Sequence, residues 1–271
     1  MRSSNPVLTR LTPETPTGYQ QQVGYGQPGY GQDVAYPGQV ITPGQTDRMT
    51  IDDVVVRTIA LLGTTGLSAA LAWVLVPEAL TGIGWMATML TGLVLGLVIT
   101  FKQITSPGLI FAYAVIMGTF LGLVSRTYEA VFDGIVLQAV TATFGVFFLM
   151  ALLYKFKVLR ATPKFVRIVT GLVLGVVAAS LLTFVLSFFG ITTGLRGNAD
   201  GSANWIAIGF SLLCIVAASL TFVLDFDQAE QGVKMGLEKK YAWLPAFGML
   251  VGLIWLYLEI LRLLSYLRGD D

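Results

Sequence analysis

Three carboxylates interrupt apolar sequence in the last quarter of the chain. Asp225 and Asp227 sit within the stretch LTFVLDFDQAEQ, which closes an apolar run, and Glu259 sits within LIWLYLEILRLL. An isolated carboxylate in hydrocarbon costs several kcal/mol, so such groups face a bundle interior or a wet cavity and find a partner. The polar stretch EQGVKMGLEKK at 230–240 continues the first helix, with Glu230–Lys234 and Lys234–Glu238 at four-residue spacing. Pro245 suits the first turn of the next helix. With one helix running to about Lys239 and the next starting at about Pro245, Asp225 and Glu259 each lie about fourteen residues, or ~21 Å, from the turn.

That spacing predicts two level carboxylates on neighbouring antiparallel helices. In a low dielectric they cannot both stay ionised cheaply, so the couple shares a proton. Protonated, it bridges the helices; deprotonated, it repels and becomes an oxygen-rich site suited to a cation such as calcium. Asp225 and Glu259 are thus the candidate pH-sensing, gating and metal-contacting groups. Asp227 lies about 200° further around its helix and should face elsewhere, though it remains the alternative partner. A blander arrangement is also open: both aspartates in the headgroup layer, and Glu259 paired with Arg262 one turn on.

Composition narrows the chemistry further. The chain has 271 residues, 55% hydrophobic and 12% charged, against roughly a quarter charged in soluble domains. Net charge is +1, which gives no field for nucleic acid. The absence of histidine removes Ser-His-Asp and Cys-His catalysis and HExxH zinc sites. No GxSxG elbow or pair of facing aspartates stands in for them, and the last span has no lysine for a retinal Schiff base. The expectation is a protein that is not an enzyme and carries no cofactor. Cys214, the single cysteine, reads as core filling.

These residues need spans to hold them. Apolar stretches of about twenty residues recur over 57–76, 83–101, 107–125, 134–154, 166–189, 204–227 and 244–266, each long enough to cross a bilayer. None alternates with period two, so helices are expected rather than a barrel. The reading is an all-α polytopic membrane protein: seven transmembrane helices within 48–271, behind a tail at 1–47. That tail, with its near-repeat GYGQPGYGQ, is Gly-, Pro-, Gln- and Tyr-rich and reads as disordered. Arg48, Arg57, Lys102, Lys155, Lys157, Arg160, Lys164, Arg167, Lys234, Lys239 and Lys240 fall on one side, against Arg126, Arg196, Arg262 and Arg268 on the other. The excess predicts a cytoplasmic N-terminus and an outer C-terminus.

Glycines four apart, Gly92/Gly96, Gly118/Gly122, Gly171/Gly175 and Gly248/Gly252, predict close helix packing. Trp73, Trp85, Trp205 and Trp243 fall near span ends, as interfacial anchors do. Gln138, Thr141 and Thr143 are candidates for lining a path or for interhelical hydrogen bonds. Glu129 and Asp133 are placed in an outer loop. The basic stretch KFKVLRATPKFVR faces the inner lipid headgroups.

VLDFDQAEQG followed by GLIWLYLEILRLLSYL resembles the last two helices of the transmembrane Bax inhibitor motif family, in its bacterial YccA-like branch. YEAVFDGIVLQAVTATFGVFFLMALLY resembles that family's fourth-helix region. The similarity covers most of 50–268 and leaves the tail outside. It implies seven helices, one central and six around it, in a bacterial plasma membrane, and a pH-sensitive calcium leak gated by two acidic residues. Asp225 matches the helix-six aspartate; Glu259 matches the helix-seven aspartate, one methylene longer, across a longer link. For the basic latch the resemblance implies, Lys102 is a weak candidate, with Arg262 beside it. Relatives are also associated with protease modulation and stress survival. The competing expectation is therefore a membrane interaction protein, binding a membrane-protein partner through 230–240 and the tail.

Overall fold

The computed structural model describes residues 48–187, 189–191, 193–197 and 204–269. The expected disorder of 1–47 lies outside the described residues. Seven helices are long and apolar enough to cross a membrane: α1 (Ile51–Leu75), α2 (Glu78–Lys102), α3 (Pro107–Val131), α4 (Ile135–Lys155), α5 (Pro163–Ser187), α6 (Trp205–Lys234) and α7 (Trp243–Arg268). The expected spans fall within or within two residues of these helices.

Local signals explain most boundaries. Thr50 and Asp53 form a capping box at the start of α1, each side chain accepting from the other's backbone N–H. Pro107 and Pro163 open α3 and α5, where a missing N–H costs nothing. Asn204 Oδ1 accepts from Ala207 N–H at 2.7 Å to cap α6. Gly236, at φ +64°, turns the chain after α6, and a short 3-10 turn, Lys239–Ala242, leads into α7.

Helix α7 lies at the centre, packed against α1, α3, α4 and α6. Helix α2 packs on α3 alone and α5 on α6 alone. Among the described residues the central helix therefore touches four neighbours, not the six that the family resemblance implied. The burial pattern supplies the reason: α2 buries only Gly92 and Ile99, and α5 only Val169 and Val176. Their other faces expose leucines, valines and phenylalanines, as a lipid-facing helix does.

The small-residue stripes sort by neighbour. Gly118 and Gly122 let α3 lie against the backbone of α1 at Thr65 and Ala69. Gly92 and Gly96 seat Met117 and Tyr113 of α3, and Gly248 and Gly252 seat Asp225 and Phe222 of α6. Gly171 and Gly175 meet nothing within 4 Å, so the close packing expected there is absent. Spacing identifies a face, whereas contact needs a partner helix on that face.

Candidate functional site

The α6–α7 register decides which acids meet. A Cβ placed on Gly248 would fall 2.4 Å from Asp225 Oδ1, and one on Gly252 2.8 Å from the Phe222 ring. Asp225 is therefore level with Gly248, eleven residues and about 16 Å of helical rise before Glu259. The expected proton-sharing couple is not formed. Helix α6 ends at Lys234, about five residues earlier than expected, because Gly236 turns the chain. Helix α7 in turn begins at Trp243. Shortening one arm and lengthening the other slides the two acids apart.

Asp225 sits half-buried between α6 and α7, in the notch left by Gly248. No ion pair or hydrogen bond is made by its carboxylate among the described residues. Asp227 faces elsewhere, as its helical angle required: it accepts from Gln231 Nε2 and, with Arg167, lines a groove between α5 and α6. One turn on, Glu230 accepts from the Tyr154 hydroxyl and pairs with Lys234.

Glu259 is 3% exposed, in the half of the bundle nearer the C-terminus. Its Oε1 accepts from Arg262 Nη1 at 2.9 Å, while Arg196 Nη2 stands 3.9 Å from the same oxygen. The intrahelical Glu259–Arg262 pair foreseen as the blander arrangement is the one present. Glu259 Oε2 is buried with no partner among the described residues. Arg196 comes from the α5–α6 connection and also donates to Ser180 Oγ at 2.9 Å. Burial, and then the Arg262 charge, pull Arg196 below its ordinary pKa. Sequence reading took this residue for an ordinary outer-side charge; a lone arginine in a Gly- and Thr-rich connection does not announce that it folds inward.

The remaining candidates do not join either acid. Lys102 is exposed at the end of α2, which packs only on α3, so it latches neither carboxylate. Gln138 and Thr141 are exposed on α4 and line no interior path, while buried Thr143 donates to Ala139 O of its own helix. Glu129 accepts from Gly134 N–H at 2.7 Å and Val136 N–H at 3.0 Å, which ties the end of α3 to the start of α4. Between Asp225 and Glu259, buried Phe222 packs edge-on against Phe147, with centroids 5.1 Å apart. No group of three or more Asp, Glu or Cys side chains able to hold a metal occurs among the described residues.

At the opposite end the α6–α7 hairpin is clasped by the start of the described chain. Met49 N–H donates to Leu237 O at 2.8 Å, and Lys239 pairs with Asp53 at 3.0 Å. Arg57 donates to Lys239 O and stacks over Trp243 at 4.8 Å. These contacts engage Leu237 and Lys239 of the 230–240 segment, while Gln231, Lys234, Met235, Glu238 and Lys240 stay exposed.

A family model described as Bax inhibitor 1 like matches residues 5–269. The match takes in nearly all of the tail that the sequence resemblance left outside. A comparison with curated proteins finds none that matches.

Proposed function

Because the chain belongs to the Bax inhibitor 1 like family of integral membrane proteins, we propose that it is a pH-sensitive cation leak, with calcium as the permeant ion, described here in a closed state. The observation that carries this reading is Asp225: a carboxylate inside a membrane span, beside a glycine notch on the central helix, with no counter-charge among the described residues. Ionisable groups so placed recur along ion and proton pathways.

The two acids then act at different depths rather than as one couple. Asp225 offers an oxygen site near the N-terminal face, and Glu259 is held shut by Arg262 and Arg196 nearer the other face. Phe222 fills the interface between them. Protonation of Asp225 removes its attraction for a cation, which gives conductance a pH dependence without requiring the two acids to meet. The excess of Lys and Arg at the end where α1 begins supports a cytoplasmic N-terminus.

The test is calcium flux into liposomes carrying the purified full chain, measured across pH. Asp225→Asn should flatten the pH response, whereas Glu259→Gln, in the half of α7 that stays clamped, should leave the pH response in place. A wild-type pH response in Asp225→Asn would overturn the proposal.

A further inference from the structure

A groove of about 570 Å³ runs along the outside of the bundle between α2, α3 and α7. It exists because α2 leans on α3 alone and never reaches α7. Leu93 and Leu97 of α2, 59% and 48% exposed, form one wall, and Met117 of α3 and Val251 and Leu258 of α7 form the rest. From Trp85 to Thr100 the α2 wall rises about 22 Å, more than the ~15 Å that one leaflet's acyl chains occupy. The lining is mostly apolar, with Tyr113 and Thr100 towards one end; its one charged group, Arg262, lies at the end nearer the C-terminus beside Thr127 and Tyr128.

That polar end carries unbalanced charge. Arg196, from the α5–α6 connection, and Arg262, within the α7 span, share one carboxylate, Glu259, which leaves the cluster at +1. Arginine does not escape by losing its proton. Glu259 takes only Nη1 of Arg262, so Nη2 and Nε have no hydrogen bond among the described residues. The nearby Glu129 is committed to the N–H groups opening α4.

From this juxtaposition of an apolar slot with an under-neutralised guanidinium at its head, we propose that the groove binds a fatty acid, its chain along Leu93, Leu97 and Met117 and its carboxylate on Arg262. Size and depth select this occupant over a phospholipid. The volume suits one small molecule, and two acyl chains would overfill it. Arg262 stands six residues, about 9 Å, below the end of α7. Helices of 25 residues overhang a ~30 Å core by only about 4 Å at each end. A compact carboxylate reaches that depth, whereas a phosphodiester with its headgroup stays at the interface. The planar guanidinium matches a carboxylate through two parallel N–H donors.

The experiment uses delipidated full-length protein in detergent and compares palmitic acid, methyl palmitate and phosphatidylglycerol by native mass spectrometry and competition. One palmitate per chain is expected, held about tenfold or more tightly than its ester, since the ester keeps a carbonyl acceptor but loses the negative charge and the second of two parallel N–H···O bonds. Leu97→Trp, which fills the slot and leaves the ion pairs intact, should weaken acid and ester alike, while Leu181→Trp on the lipid face of α5 should change neither. Arg262→Gln should abolish the preference for acid over ester; Arg262→Lys, which keeps the charge and the fold, should reduce it. Equal binding of acid and ester, an acid preference that survives at Arg262→Lys undiminished, or binding indifferent to Leu97→Trp would overturn the proposal. So would phosphatidylglycerol displacing palmitate from the groove.

Discussion

The closest backbone approach in the bundle gives the sharpest test of its packing. At Gly122 an added Cβ would stand 2.2 Å from Ala69 O and 2.9 Å from Ala69 C of α1. Ordinary contact begins at 3.4 Å, so Gly122→Ala drives α1 and α3 apart by about 1 Å at a point where only backbone can yield. Overpacking of this kind costs typically 1–3 kcal/mol, against which alanine recovers up to about 1 kcal/mol of helix propensity. At Gly171 and Gly175 nothing lies within 4 Å, so alanine there meets no such clash. Cys214, the single cysteine and fully buried, supplies the assay. A thiol-reactive dye that fluoresces only once the fold opens reports an apparent melting temperature in detergent. With about 2–4 °C per kcal/mol for a domain of this size, Gly122→Ala should melt several degrees early while Gly171→Ala stays at or above wild type. Equal shifts at the two positions, or none at Gly122, would refute the inferred α1–α3 contact.

Two further outcomes follow from the same contacts. Arg262→Gln should destabilise by up to about 3–5 kcal/mol, because it leaves a carboxylate that is 3% exposed with only Arg196, 3.9 Å away; Glu259→Gln should cost less, since the Arg262 side chain is 24% exposed. The dye assay ranks the two, and the opposite order would place the buried charge on the wrong residue. Phe222→Ala should cost about 3–5 kcal/mol and raise liposome calcium flux if ions travel along the α6–α7 interface; lost stability with unchanged flux would move the path elsewhere.

The elements were legible because each rests on a strong local signal. Twenty-residue apolar runs mark the spans, and Pro107 and Pro163 mark helix starts. What was lost was register. Whether α6 continues through EQGVKMGLEKK depends on Gly236, whose left-handed turn overrides a run of favourable i,i+4 pairs worth only a few tenths of a kcal/mol each. Five residues of error in α6 and two in α7, together with the path of the connecting turn, separate Asp225 from Glu259 by about three helical turns. The Glu259–Arg262 pair was readable because it is local; Arg196 was not, because its contact depends on how a connection folds over the bundle. The four GxxxG stripes looked alike in sequence, and only the neighbouring helix distinguishes Gly122 from Gly171.

The two halves of α7 are held by opposite kinds of contact, and this bears on how the interface could open. Towards the N-terminal face, α6 meets α7 through Gly248 and Gly252, where smooth backbone receives Asp225 and Phe222 without any hydrogen bond to break. Further along, α7 is fastened by the Ser125–Tyr257 hydrogen bond at 2.6 Å and by the Glu259 ion pairs. Sliding or rotating α6 on the glycine face sacrifices dispersion contacts there and the clasps at the hairpin, each small, whereas moving the other half strands buried charge. Opening should therefore begin at Asp225 and Phe222 and leave Glu259 clamped. A cross-link between introduced cysteines at the Asp225 end should block flux, while one spanning Ser125 and Tyr257 should leave it intact; the reverse pattern would show that the ion cluster, not the glycine face, is what yields.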